Sequence, residues 1–141
     1  MDTRVPEYEI INILDMYSIK SHKDLITYQM AFESAVKIYE LSKSFPREEL
    51  YSMTDQIRRS SRSVCANIAE AYRKRIYPKA FVAKLNDCIS EAAETQTWLD
   101  FALQYDYLDE KRHKELFCSY DNIIGKLITM SNKSEKWSFR K

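Results

Sequence analysis

The chain has 141 residues, of which 45% are hydrophobic and 30% are charged, and its formal net charge is +1. This length predicts one domain, and the near-zero charge excludes a protein whose whole surface is basic. A single glycine, Gly125, excludes the glycine-rich phosphate loops of P-loop and dinucleotide-binding proteins.

Residues 1–23 are predicted to form an N-terminal extension ahead of the first helical pattern. The apolar run IINILDMYSI is interrupted by Asn12 and Asp15 and is too short to span a membrane. The mixed charge before this run is not that of a signal peptide. We therefore expect a cytoplasmic protein with no membrane contact, in which the run packs on the same chain or on a neighbouring copy.

Residues 24–130 are predicted to form four helices, because apolar side chains recur there at intervals of three and four residues. With one glycine and three prolines, the chain has few helix breakers, which favours long helices. Asp24 is the expected N-cap of the first helix, and Pro78 the first-turn residue of the third. The expected spans are 24–43, 48–75, a third helix from 78 onward, and 109–130.

The recurring apolar side chains define the expected core. In chain order they are Leu25, Tyr28, Phe32, Ala35, Tyr39, Met53, Ile57, Val64, Ile68, Tyr72, Phe81, Leu85, Cys88, Ala92, Thr95, Leu99, Ala102, Leu116, Phe117, Tyr120, Ile123, Ile124, Leu127, Ile128 and Met130. Short connections make successive helices antiparallel neighbours. The predicted fold class is all-α, an antiparallel up-down-up-down four-helix bundle.

Residues 131–141, SNKSEKWSFRK, are predicted to form a basic polar tail. Four basic residues and one acid give it a net charge of +3, with Trp137 and Phe139 between the basic residues. Aromatic residues among basic ones can clasp nucleic acid. A frayed, solvated terminus is the commoner outcome for such a segment, and it is the one that we expect.

Residues 56–75, QIRRSSRSVCANIAEAYRKR, combine one acid with six basic residues: Arg58, Arg59, Arg62, Arg73, Lys74 and Arg75. At 100° per residue, Arg58, Arg62 and Arg73 lie within about 60° of one another. They form either a solvated face paired with acids from elsewhere or a surface for nucleic acid. Residues 81–115 supply candidate partners, with eight acids against four bases. Opposite faces could also join copies head to tail into a ring.

A second flank of the same helix carries small and polar side chains. Its members are Ser60, Ser63, Asn67, Ala71 and Lys74. Small side chains let another helix approach closely, and one asparagine can fix register or oligomeric state. The flank therefore packs either within one bundle or between subunits.

Catalytic and metal-binding patterns are incomplete. A di-iron bundle needs two Glu-x-x-His pairs, whereas this chain has one, Glu110 with His113, and its other histidine is His22. Glu91 and Glu94 resemble a carboxylate pair, but acids on an exposed helix face explain their spacing. The cysteines, which fall within apolar helical patterns, are expected to be buried thiols. They are Cys65, Cys88 and Cys118. We expect no enzyme, metal or cofactor.

The pattern QIRRSSRSVCANIAEAYRK resembles the signature helix of the four-helix-bundle proteins known from 23S rRNA intervening sequences. The stretches DLITYQMA, FPREELYSMTDQ and ETQTWLDFALQYDYL agree with it, so the resemblance covers residues 24 to about 130. One departure is Ala71, where the family usually has glycine. The helix is therefore expected to run on there without a bend.

The resemblance implies a small antiparallel bundle, and several members of the family form homopentamers. A related protein, the accessory protein of diversity-generating retroelements, engages a reverse transcriptase and nucleic acid through a basic surface. The matching positions include Gln56, Arg58, Arg59, Asn67, Glu70 and Glu94.

We therefore expect a non-enzymatic homo-oligomer that presents a basic surface to RNA, DNA or a nucleic-acid enzyme. The alternative is a purely structural or protein–protein module whose arginines serve subunit contacts alone.

Overall fold

The structure is a computed structural model that describes residues 19–138, while 1–18 and 139–141 lie outside its description. The described residues contain four long helices and one short one. These are α1 (Ile26–Ser42), α2 (Met53–Arg73), α3 (Pro78–Gln104), α4 (Glu110–Asn132) and α5 (Ser134–Trp137). Each long helix contacts the next, and α1 also contacts α4. The predicted all-α up-down-up-down bundle is confirmed.

Two polar contacts fix the antiparallel register of α2 and α3. The Thr95 hydroxyl donates to Ser60 Oγ at 2.8 Å in the middle of the pair. Lys84 Nζ lies 2.6 Å from Glu70 Oε2, nearer the connection between the helices. Because the two contacts lie at successive levels of the same helix pair, α2 and α3 pack closely along most of their length.

The other helix pairs are also joined by polar contacts. The Gln96 amide donates to the Phe117 carbonyl at 3.1 Å and to Asp121 Oδ1 at 2.8 Å, linking α3 to α4. The Thr27 hydroxyl lies 3.9 Å from Met130 Sδ, where α1 begins and α4 ends. These contacts close the bundle around one core.

The core is the one that the apolar periodicity predicts for α2 and α3, in which every predicted position is buried. In α4, Ile128 is 45% exposed and therefore lies outside the core. Cys65 and Cys88 are buried as expected, but Cys118 is exposed and that prediction is wrong. Cys118 lies on the outer side of α4, two residues before the buried Tyr120.

The helix ends follow local chemistry. Pro78 is the first residue of α3, as predicted. The Asp109 carboxylate accepts from the Arg112 backbone N–H at 2.7 Å and caps α4. Asp106 ends α3 with a φ of 62°, and the N–H of Tyr107 returns to the Ala102 carbonyl at 2.8 Å. This is the geometry that glycine usually supplies at a helix C-terminus.

The predicted start of α1 is wrong. Asp24 is the last residue of a 3-10 turn that precedes α1 and whose N-cap is Ser21, and its carboxylate accepts from the Lys20 and Ser21 backbone N–H groups at 2.8 and 3.2 Å. The N-cap of α1 is Leu25, whose side chain cannot accept a hydrogen bond. Similarly, the predicted start of α2 at residue 48 falls in a 3-10 turn at Arg47–Glu49, and α2 begins at Met53.

The predicted frayed tail is also wrong for its described part. Residues 131 and 132 continue α4, and α5 folds back against α3 and α4. Trp137 is 2% exposed and packs 6.4 Å from the Phe81 ring. A buried indole cannot stack on a nucleic-acid base, so Trp137 is unavailable for that role, and Phe139 lies outside the described residues.

Across residues 19–138, every helix is too short or too polar for a bilayer-spanning segment.

Candidate functional site

An open apolar groove lies between α1 and α2, with a volume of about 510 Å³. Its lining residues are Tyr28, Phe32, Ala35, Val36, Tyr39, Arg58, Ser61, Arg62, Cys65, Ala66 and Ala69. Phe32, Val36 and Tyr39 are 54%, 48% and 46% exposed. Phe32 and Tyr39 were predicted in the core, and that prediction is wrong. The α2 side of the groove has the short side chains of Ala66 and Ala69, so the rings of Phe32 and Tyr39 on α1 remain partly open to solvent.

The three arginines predicted to lie on one side of α2, Arg58, Arg62 and Arg73, are called here the arginine row. Two of them line the α1–α2 groove. Arg58 is half-buried, and its Nε donates to Ser42 Oγ at 2.7 Å. Its guanidinium lies 4.8 Å from the Tyr39 ring centroid, a cation–π distance. Arg62 is exposed, and its Nε donates to the Arg58 carbonyl at 3.0 Å. The groove therefore has a basic end that is held in place by α1.

The other predicted basic residues lie outside the groove. Arg59, Arg73 and Lys74 are exposed, and Arg59 lies 3.9 Å from Asp55 within α2. Arg75 folds back so that its guanidinium lies 4.0 Å from the Tyr72 ring centroid. The six residues thus divide into groove arginines, an exposed basic set, and one residue held against α2.

The acids of residues 81–115 do not neutralise this row. In the part of the chain that the structure describes, no ion pair joins Arg58, Arg62, Arg73 or Lys74 to an acid of α3 or α4. The predicted pairing of the row with those acids is therefore wrong, whereas the predicted solvated face agrees with the exposure of Arg62 and Arg73.

The small-residue flank of α2 faces α3 within the same bundle. Ser60 and Ala71 are 2% and 1% exposed, whereas Ser63 and Asn67 are half-buried and Lys74 is exposed. For Ser60 and Ala71 the flank is therefore a packing surface between two helices of one chain. Ser63 and Asn67 lie at its outer edge, where a second molecule can reach them.

The remaining signature residues have different surroundings. Gln56 is exposed. Glu70 joins α2 to α3, and its hydrogen bond with Lys84 holds the pKa of the Glu70 carboxyl below its usual value. The same bond raises the pKa of Lys84. α2 continues as a helix through Ala71, the position that departs from the family pattern, and ends at Arg73, as the sequence predicts.

A second surface, in which Glu91 and Trp98 are half-buried and the other residues are exposed, runs along α3 and is called here the α3 acidic–aromatic face. It consists of Glu91, Glu94, Trp98, Phe101 and Tyr105, which fall within about 80° of the helix circumference. Phe101 and Tyr105 are 42% and 50% exposed, and their ring centroids are 5.8 Å apart. Burial, followed by the nearby Glu94 carboxylate, raises the pKa of Glu91. Sequence reasoning missed these aromatics, although their four-residue spacing outside the core stripe is a usable signal.

The histidines do not form a metal centre with other donors. His113 Nε2 lies 2.7 Å from Asp100 Oδ1, and its ring stacks on Phe117 at 5.3 Å. Over residues 19–138, no three side chains of His, Cys, Asp and Glu are placed together to hold a metal ion.

The signature helix of the sequence is thus α2, the helix that carries the basic row and shares the groove. A match to the 23S rRNA-intervening sequence protein family covers residues 23–129. The chain belongs to this family. The resemblance seen in the sequence is confirmed.

A solved structure agrees with this assignment. The chain is similar to a protein of unknown function from the S23 ribosomal protein family of Bacteroides thetaiotaomicron, with 29% sequence identity and a TM-score of 0.70. The similarity covers 77% of this chain and 96% of that chain. No curated protein matches the sequence.

Proposed function

We propose that this chain is a non-enzymatic bundle that assembles with copies of itself through the α1–α2 groove. The assembly then presents the exposed basic residues of α2 to RNA, DNA or a nucleic-acid enzyme. The observation that carries the proposal is the row of exposed apolar side chains, Phe32, Val36 and Tyr39, beside two arginines.

Self-association is supported by the composition of the groove. Contiguous exposed apolar surface marks interaction sites on soluble proteins. Aromatic residues and arginine are also the residue types that contribute most to protein–protein binding. The resemblance to family members that form homopentamers sets the expected assembly at five copies.

Nucleic-acid binding is supported by the basic residues that the groove leaves free. Arg59, Arg73 and Lys74 are exposed on the outer side of α2. A chain of net charge +1 binds a polyanion weakly on its own, but an oligomer repeats these residues in every copy. Linked phosphate contacts multiply into avidity, and each contact makes binding more sensitive to salt. A reverse transcriptase is the partner class that the related accessory protein suggests.

The second candidate is a purely structural module. Arg58 and Arg62 line the apolar groove instead of projecting from a separate basic surface. If a neighbouring copy covers the groove, these two arginines serve the subunit contact and contribute nothing to nucleic-acid binding.

Two double variants separate these functions. Arg58→Glu with Arg62→Glu should reduce the mass measured by light scattering, because the groove loses its basic end. Arg73→Glu with Lys74→Glu should leave the mass unchanged and weaken binding to single-stranded RNA and DNA, measured by fluorescence anisotropy at two salt concentrations. Absence of salt-sensitive binding by the wild type would leave the structural module as the function.

A further inference from the structure

We propose that the α1–α2 groove of one copy receives the α3 acidic–aromatic face of the next copy, so that Glu91 and Glu94 meet Arg58 and Arg62. This inference rests on the proposed self-association and names the surface that fills the groove. The occupant is a second copy of the chain.

The charges of the two surfaces are complementary. Glu91 and Glu94 lie one helical turn apart, and within the described residues neither forms an ion pair with a lysine or arginine. Their mutual repulsion is the second cause of the raised pKa of Glu91. Guanidinium groups placed opposite these carboxylates would relieve that repulsion and form charge-assisted hydrogen bonds.

The apolar parts of the two surfaces are also complementary. Beyond its acidic end, α3 presents the exposed ring of Phe101 and the outer part of the half-buried Trp98, whose ring centroids are 6.0 Å apart. Beyond its basic end, α2 presents the small side chains of Ala66 and Ala69. Large side chains on one helix pack against small ones on another, and aromatic pairs add stability beyond the area that they bury.

The spacing along the two helices agrees when they run parallel. Glu94, Trp98 and Phe101 lie at intervals of four and three residues, as do Arg62, Ala66 and Ala69 on α2. The lengths also correspond, since Glu91 to Phe101 spans about 15 Å and the α2 side of the groove about 16 Å. The register that places Glu94 opposite Arg62 therefore aligns the apolar positions as well, and it places Glu91 opposite Arg59, one residue beyond Arg58.

The contact is head to tail, because its two patches differ. The groove belongs to α1 and α2, whereas the opposing face belongs to α3, so each copy offers two different patches. Contacts between unlike patches build rings when the rotation closes. Ser63 and Asn67, half-buried on α2 beside α3, would then lie next to this contact.

Charge reversal with rescue tests the pairing in the full chain. The groove variant is Arg58→Glu with Arg62→Glu, and the face variant is Glu91→Arg with Glu94→Arg. The matched control reverses two exposed charges on α4, Lys111→Glu with Lys114→Glu. Circular dichroism checks the helicity of each, and Glu91→Gln with Glu94→Gln replaces the face variant if that variant unfolds.

The expected masses are specific. Light scattering at micromolar concentration should give several times 16.8 kDa for the wild type and the control, and about 16.8 kDa for each reversed pair. An equal mixture of the groove and face variants should associate again, because each then finds an oppositely charged partner surface. Misfolding or a non-specific loss of solubility cannot produce that recovery.

Other outcomes overturn the inference in distinguishable ways. If the wild type is a monomer, the proposed self-association itself fails. If the face variant assembles as well as the wild type while the groove variant does not, the α3 face is not the occupant. If Ile11→Lys with Leu14→Lys disperses the assembly and the face variant does not, residues 1–18 fill the groove instead.

Discussion

α2 meets its two neighbours in the bundle in different ways. Against α3 the contact is closed, with Ser60 and Ala71 buried and the Glu70–Lys84 ion pair at one end. Against α1 the contact is open on its outer side, where the groove exposes Phe32 and Tyr39. The α2–α3 contact is called here the closed seam of α2, and the α1–α2 contact is called its open seam.

The difference depends on what lies opposite the small residues of α2. Facing α3, small side chains meet other small or polar ones, including Thr95, and the helices close on one another. Facing α1, Ala66 and Ala69 meet aromatic rings that reach solvent. Small residues alone therefore do not predict close packing; the opposite helix must also be small at the same level.

The largest expected effect concerns a closed contact elsewhere, that of α5 with the bundle. Trp137→Ala should lower the free energy of unfolding by about 3 to 5 kcal/mol, because it leaves a cavity beside Phe81. Urea unfolding at one fixed protein concentration measures the change. A loss below 1 kcal/mol would show that α5 is not packed on the bundle in solution.

A matched pair of alanines compares the two seams of α2 directly. Ala71→Leu should destabilise the protein by about 1 to 3 kcal/mol, because Ala71 is 1% exposed and has no room for extra carbons. With both changes made in the Arg58→Glu, Arg62→Glu variant, in which the groove is expected to be uncovered, Ala66→Leu should change the unfolding free energy by less than about 0.5 kcal/mol, because Ala66 is then exposed. Equal losses in the two variants would mean that the seams do not differ.

A smaller effect is expected from the hydroxyl contact inside the closed seam. Thr95→Val should cost about 0.5 to 1.5 kcal/mol, because it removes the hydrogen bond to Ser60. Adding Ser60→Ala should cost less than the sum of the two single changes, since the shared bond is lost only once. Thermal unfolding of the four proteins in the cycle measures this coupling, and strict additivity would show that the hydroxyls do not interact.

The smallest effect concerns the ion pair at the end of that seam. Lys84 lowers the pKa of Glu70, so the pair contributes stability above the ordinary glutamate pKa, and that stability is lost as the pH falls through the lowered value. Glu70→Gln should therefore flatten the acid side of the stability–pH profile, compared with the control Glu33→Gln on α1. Identical acid limbs for wild type and Glu70→Gln would exclude this contribution.

The sequence predicts much of the fold because helical periodicity depends on burial. In α2 and α3 every residue of the predicted apolar stripe is buried, because these stripes face the centre of the bundle. Periodicity fails at Phe32 and Tyr39 because an apolar stripe looks the same whether it faces its own core or an open groove. It also fails at Trp137, where four residues are too few to show a period.

The candidate site was predicted only in part for a similar reason. The basic residues of α2 are visible in the sequence as a charge imbalance, and their helical positions follow from 100° per residue. Their division between groove and outer surface depends on α1, which supplies Ser42 and Tyr39 to hold Arg58. Such contacts between residues distant in sequence cannot be derived from the local pattern.

The three cysteines differ in burial, so their alkylation rates report how accessible different parts of the bundle are. Burial raises the pKa of the Cys65 thiol to about 11 and that of Cys88 to about 12, so the reactive thiolate is scarce at neutral pH. Cys118 is exposed, so an alkylating reagent reaches it without any opening of the bundle. Cys88 is fully buried, so its labelling rate, measured relative to Cys118, reports how often the interior of the bundle opens. Because Cys65 lies in the groove wall and Cys88 on the buried side of α3, the rate at Cys65 reports access through the groove, whereas the rate at Cys88 reports opening of the core.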